Sequence, residues 1–308
     1  MKSKTLITIS IILVVLIGIW GVSQWQKSKP DTSAAGQLEF ESLSIDNIDS
    51  ISISKEEDTV TLQKDSGLWK VDEHNADSEK INSLFEDLKK LNISGPTSRN
   101  SENHEKFEVS DNKGTKLTFK QGDSEVASYI IGKQAAASQT SYIRKSNEDQ
   151  VFIADANLRS LLPTKINDWR DKTVVRVNRE QVKKVEFDYP EEKFMLSLQE
   201  DGTWQAIDDQ GNSTTTEELL INRLFNNLNP LTADDFIEDE EGIDQFNTAT
   251  STQIIRLKGD NDSTVTELSL VKQGDAWWVK TSTKDTIYQA PLYRLSDVVI
   301  NRKDLFEG

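Results

Sequence analysis

The hydropathy pattern changes character twice along the chain. From Leu6 to Val22 no side chain is charged, and seventeen residues at about 1.5 Å each make a helix of about 26 Å. Thr5 and Ser23 extend it toward the ~30 Å of a bilayer core, and Trp20 and Trp25 stand where an interfacial aromatic belt would place them. A cleaved signal peptide has a similar front end, but Ser33-Ala34-Ala35, a small-residue cleavage candidate, lies more than ten residues past Val22. Residues 1–27 therefore read as an uncleaved transmembrane anchor and residues 28–46, opening on SKPDTSAAGQ, as a linker.

Beyond the linker the period becomes two. Ile48, Ile51 and Ile53, then Val60 and Leu62, alternate with polar residues, as strands with one buried face require. Asp65-Ser66-Gly67 makes a turn and Leu68 to Val71 resumes the strand. The pattern then lengthens to helical spacing in INSLFEDLKKL, residues 81–91, and the same phrase returns as INRLFNNLNPL, residues 221–231. Six of eleven positions are identical and all five apolar positions recur, so each stretch predicts one amphipathic helix.

The repetition extends outward from the helices. Val182, Val185 and Phe187 answer the first strand, Leu196 and Leu198 the second, and Gly202-x-Trp204 answers Gly67-x-Trp69. Downstream, Leu117 and Phe119 pair with Ile255 and Leu257, Tyr142-Ile143-Arg144 with Trp278-Val279-Lys280, and Val151-Phe152 with Ile287-Tyr288. Ile166-Asn167 and Ile300-Asn301 mark a short closing helix in each. At the helix starts, Asp77, Ser78 and Glu79 supply capping and acidic groups, and Thr215 with Glu218 matches a capping box. Gly95-Pro96 and Pro230 are expected to close the two helices. The predicted fold is α+β: an N-terminal transmembrane helix, then two tandem homologous domains over residues 47–175 and 176–308. Each is a mainly antiparallel sheet with one amphipathic helix and a short closing helix.

Composition narrows the chemistry. The 308 residues include no Cys, which removes disulfides, thiolate metal sites, Cys nucleophiles and a lipid-modified Cys anchor. Residues 1–30 hold four Lys and no acid, so the remainder carries 32 basic against 52 acidic residues. A surface that acidic repels phosphate backbones, and nucleic acid is excluded as a partner.

The Gly-x-Trp strand, the Leu-x-x-Leu helix, the Tyr142-Ile143-Arg144 strand and Asp168-Trp-Arg-Asp-Lys172 together resemble the bacterial domain-of-unknown-function family numbered 4340. The resemblance covers nearly everything after the linker. It implies anchoring by one N-terminal helix, more than one copy of the domain, and an accessory role beside ABC-type transporter components; it brings no catalytic residue. Where the family shows a Tyr-Gly-Leu-like turn after each helix, this chain has Lys106-Phe107-Glu108 and Gln245-Phe246-Asn247.

Catalytic constellations fail on context. Ser52-x-x-Lys55, Ser110-Asp111-Asn112 and Lys280-Thr281-Ser282 mimic the three elements of penicillin-binding proteins, but Ser52 lies in an alternating strand rather than opening a helix. Gly122-Asp123-Ser124 reads as a hairpin turn, and His74 and His104, the only histidines, stand in polar stretches and form no zinc spacing. The acidic run Asp234 to Asp244 misses the EF-hand spacing and reads as a solvated loop, and Asp260-Asn261-Asp262 as a turn. No catalytic, cofactor or metal residue is assigned. Trp69 and Trp204 are expected in the cores, while adjacent Trp277 and Trp278 must point to opposite faces of a strand. That pair is the candidate interaction surface. The expected function is non-enzymatic: a single-pass cell-membrane protein with extracytoplasmic domains, serving as scaffold, sensor or accessory part of an envelope or ABC-type transporter complex. The alternative is a module binding cell-wall glycan or peptide.

Overall fold

A computed structural model describes Leu38 and residues 40–306. The described residues fall into two compact units that divide between Arg170 and Asp171. Most of each unit is one nine-stranded sheet in which every neighbouring pair is antiparallel.

In the first unit the strands are β1 (Ser50–Lys55), β2 (Asp58–Asp65), β3 (Leu68–Val71), β4 (His74–Asn75), β5 (Ile93–Ser98), β6 (Thr115–Gln121), β7 (Ser124–Gln134), β8 (Ser141–Lys145) and β9 (Val151–Ala154). Helix α1 (Ser78–Lys89) runs between β4 and β5, α2 (His104–Phe107) precedes β6, and α3 (Leu158–Leu161) follows β9. The sheet order is β4-β3-β2-β1-β6-β7-β8-β9-β5.

The second unit begins with β10 (Thr173–Val175) and continues through β11 (Lys184–Asp188), β12 (Lys193–Leu198), β13 (Trp204–Asp208), β14 (Ser213–Thr215), helix α4 (Glu218–Asn227) and β15 (Leu231–Thr232). It closes with β16 (Asp235–Ile237), helix α5 (Glu240–Thr248), β17 (Gln253–Lys258), β18 (Thr264–Gln273), β19 (Ala276–Thr281), β20 (Lys284–Pro291) and α6 (Lys303–Phe306). Its sheet order, β14-β13-β12-β11-β17-β18-β19-β20-β16, matches the first strand for strand.

Both cores form in the same way. The odd-numbered face of β1 and β6 brings Ile51 opposite Phe119 and Ile53 opposite Leu117, and α1 lays Ile81, Leu84, Phe85 and Leu88 over them, with the Phe85 and Phe119 rings 5.4 Å apart. In the second unit Val185 faces Leu257 and Phe187 faces Ile255 beneath Ile221, Leu224 and Phe225 of α4, with Phe225 5.7 Å from Trp204. Trp69 and Trp204 are both buried. Gly67 and Gly202, two residues earlier, hold φ near +87° and +86°, a turn conformation that costs a glycine least.

One expectation lies outside the described residues and several others are corrected. The anchor at 1–27 and the first part of the linker lie outside the described residues, among which no helix is long and apolar enough to cross a membrane. The linker does not reach residue 46. Leu38, Phe40 and Leu43 are buried in the first core, where Phe40 stacks on Tyr129 at 4.3 Å and the Tyr129 hydroxyl donates to the Leu38 carbonyl. The division between units falls before Thr173–Val175 rather than after it, because β10 pairs with β15 of the second unit.

Asp77 does cap α1, accepting from the Lys80 amide at 3.0 Å. Thr215 instead ends strand β14, opposite Gln205, and α4 starts after Glu217 without a side-chain cap. Gly95-Pro96 lies within β5, since α1 already ends at Lys89. The acidic run is not a loop. Asp235–Ile237 joins the sheet edge beside β20, and Asp239 caps α5 by accepting from the Gly242 amide at 2.8 Å, which places Glu240 and Glu241 at the positive end of that helix.

Candidate functional site

Each sheet has a second face, away from α1 or α4, and the segment after the amphipathic helix crosses it. In the first unit that segment brings Phe107 and Val109 onto Ile130 and Val151, with Tyr142 against them. In the second, Phe246 of α5 packs on Val271 and Ile287, joined by Ile237, Ile243, Ala249 and Trp278. Phe107 and Phe246, the aromatics that stand where the sequence departs from the family's usual turn, thus fill matching places. The backbone near them differs: Glu108 follows α2 in the left-handed region, while α5 runs on to Thr248.

The two faces are closed to different degrees. In the first unit Arg144 is almost fully buried: its Nε donates to the Val109 carbonyl at 2.6 Å, Nη1 to the Ser146 carbonyl at 2.7 Å, and Nη2 to Asp111 at 3.0 Å. This fork fastens the Val109 backbone to the sheet. Gly132 allows the close approach, for a Cβ there would lie 2.3 Å from the Phe107 carbonyl oxygen. The second unit has Lys280 and Val271 at those places in β19 and β18, and Lys280 reaches an exposed Asp285 instead.

Without that clasp, part of the second sheet's outer face stays open beside Trp278. The register sets Val271, Trp278 and Gln289 side by side on β18, β19 and β20, and Gln273, Ala276 and Pro291 in the next row. Val271 lies beneath α5; the adjoining row borders a recess of about 440 Å³, within the ~300–1,000 Å³ usual for small-ligand sites. Trp278, Ala276 and Pro291 give it apolar surface, and Gln273, Gln289, Asp234 and Asp275 give it polar groups. Arg294 braces one wall, donating to Asp234 at 2.8 Å and to the Thr232 hydroxyl at 3.0 Å. The Asp234 amide donates to the Gln289 carbonyl at 2.9 Å, which ties that wall to the sheet. Neither Gln273 nor Gln289 spends its side-chain amide on a hydrogen bond among the described residues. The arrangement offers an aromatic face with two amides and the Asp275 carboxylate around it, while Asp234 is engaged by Arg294. It provides no nucleophile with a base.

The remaining sequence candidates disperse. Trp277 is buried in the second core, so the two adjacent tryptophans do take opposite faces and only Trp278 reaches the recess. Ser52 lies within β1, Ser110 bonds Asn112 in a turn, and Lys280 lies on β19 in the other unit. Ser124 opens β7 after the Gly122 turn; His74 is in β4, and the His104 ring contacts the Asp149 carbonyl at 3.0 Å. No group of three or more potential metal ligands occurs among the described residues.

A second recess on the same sheet, beside Arg256, is occupied by its own charges. Arg256 bonds Glu267 at 2.7 Å and Asp188 at 3.2 Å, and Lys193 meets Asp188 at 2.8 Å. Lys193 first, then Arg256, holds the Asp188 carboxyl below its ordinary range. Sequence reading missed Gln273, Gln289, Asp234 and Asp275. Alternation along β18 and β20 places the two glutamines on the outer face, but only the register shows that Gln289 lies beside Trp278 and Gln273 in the adjoining row.

A family model described as Domain of unknown function (DUF4340) matches residues 69–245, just over half of the chain. No curated protein and no solved structure matches.

Proposed function

The chain belongs to the DUF4340 family, a membership that passes down no reaction, and we propose a non-enzymatic membrane-anchored protein, the anchor being read from the uncharged run Leu6 to Val22 of the sequence. In this reading residues 1–27 anchor two homologous extracytoplasmic domains, descended from one, that serve an envelope assembly of the ABC-type transporter kind as a ligand-presenting scaffold. The observation that carries it is the contrast between the units. The same strand order occurs twice, while one outer face is clasped shut by Arg144 and the other leaves Trp278 beside a recess. A shared scaffold with one face diverged is what a duplicated domain acquires when one copy keeps structure and the other takes on contact.

The test is in-cell crosslinking of full-length, C-terminally tagged protein followed by mass spectrometry. A control replaces residues 1–30 by a cleavable secretion signal. Enrichment of transporter or envelope subunits that depends on the anchor is the expected result. Absence of any specific partner in both forms refutes the envelope-complex reading.

A further inference from the structure

We propose that the recess beside Trp278 binds an uncharged saccharide, with a pyranose ring laid on the indole and its hydroxyls held by Gln289, Gln273 and Asp275. This rests on the reading that the second unit presents a ligand-contacting face. The recess combines two kinds of surface that a sugar also combines. A pyranose ring has an apolar face of C–H groups and an edge of hydroxyls that both donate and accept. Trp278, with Ala276 and Pro291 in the adjoining row, supplies a broad apolar surface for the first. The two side-chain amides donate and accept, and the Asp275 carboxylate accepts, which suits the second.

The surroundings make this a site of fixed shape. Trp278 lies on a central strand between β18 and β20, packed on one side by the Phe246 cluster, so its ring is held before a ligand arrives. Asp234 is held by Arg294, and its backbone is bonded to Gln289. Charge selects against anions. Arg294 matches the charge of Asp234, but Asp275 adds a carboxylate at the recess and the whole chain carries a net charge of −16, so an acidic sugar or a phosphate would be repelled. The first unit lacks the combination: the position opposite Tyr142, matching Gln289 opposite Trp278, is Ile153.

The experiment is isothermal titration of the full-length chain in lipid nanodiscs, free of glycoside detergents. The probes are chitotetraose, cellotetraose and maltotetraose, with trigalacturonate as an acidic control. At least one neutral tetrasaccharide is expected to bind, and trigalacturonate is not. Trp278→Ala should weaken binding about tenfold or more while Trp278→Phe keeps most of it. Trp278 also packs on the Phe246 cluster, so Gln289→Leu, on the exposed side, carries the test should Trp278→Ala fail to fold. Its expected effect is a loss of about tenfold. Binding of none of the neutral probes, equal binding of trigalacturonate, or wild-type affinity in Gln289→Leu overturns the inference. Anchor-dependent crosslinks that persist without sugar binding would defeat this inference alone. Sugar binding without protein partners would sustain it and defeat the envelope-complex reading.

Discussion

Asp208 shows how much one side chain can organise. Its carboxylate, closed to solvent, accepts from the Asn212 amide at 2.8 Å, the Asn212 side chain at 2.9 Å, the Gln210 amide at 3.0 Å and Arg302 at 2.7 Å. It therefore fixes the β13–β14 turn and pins the C-terminal segment to it. The Asn212 side chain, then Arg302, holds its pKa well below the ordinary carboxylate range. A depressed folded pKa contributes stability above the unfolded value, about 3.9, and that contribution disappears as pH falls below it. Asp208→Asn should accordingly lower stability at neutral pH and flatten the acid side of the stability profile, measured by urea denaturation across pH. An unchanged acid slope would show that other carboxylates control it. None of this was visible in the local sequence Asp-Asp-Gln-Gly-Asn, residues 208–212. The partner that matters, Arg302, arrives from the far end of the unit.

At the scale of elements the sequence was most informative where burial repeats with a local period. The apolar face of residues 81–91 and 221–231 states that each helix covers a sheet, and Leu84 and Leu224 are buried on the sheet-facing sides of those helices. Leu84→Ala or Leu224→Ala should each cost about 2–5 kcal/mol in denaturant unfolding. Hydrogen exchange should locate the loss of protection in β1–β9 for the first and β11–β20 for the second. Loss spread equally over both sheets in either variant would contradict two separate cores. Element ends were less legible. Thr215 and Glu218 fit a capping pattern, yet pairing of β14 with β13 held Thr215 in the sheet. Leu38 and Phe40 sit in a polar stretch whose composition suggests a linker, and only the non-local contact with Tyr129 shows that they belong to the core. Pairing of β1 with β6 or β11 with β17 is likewise set by partners 62 to 74 residues apart, which local periodicity does not encode.

For the whole molecule, the proposed anchor and acidic exterior make a prediction about sidedness. On intact spheroplasts, added protease should remove a C-terminal tag and digest both units; protection of the tag until lysis would place them in the cytoplasm. The same strand order carried twice in one chain also raises a problem of folding fidelity. Strands of matching units on one polypeptide can pair with the wrong sheet, a known failure of multidomain chains. Gly132 and Val271 oppose that exchange. A β18 strand seated where β7 belongs would bring the Val271 side chain to a place where even a Cβ meets the Phe107 carbonyl at 2.3 Å. The glycine that lets the first unit's outer face close thereby also acts as a proofreading position, rejecting the other unit's strand.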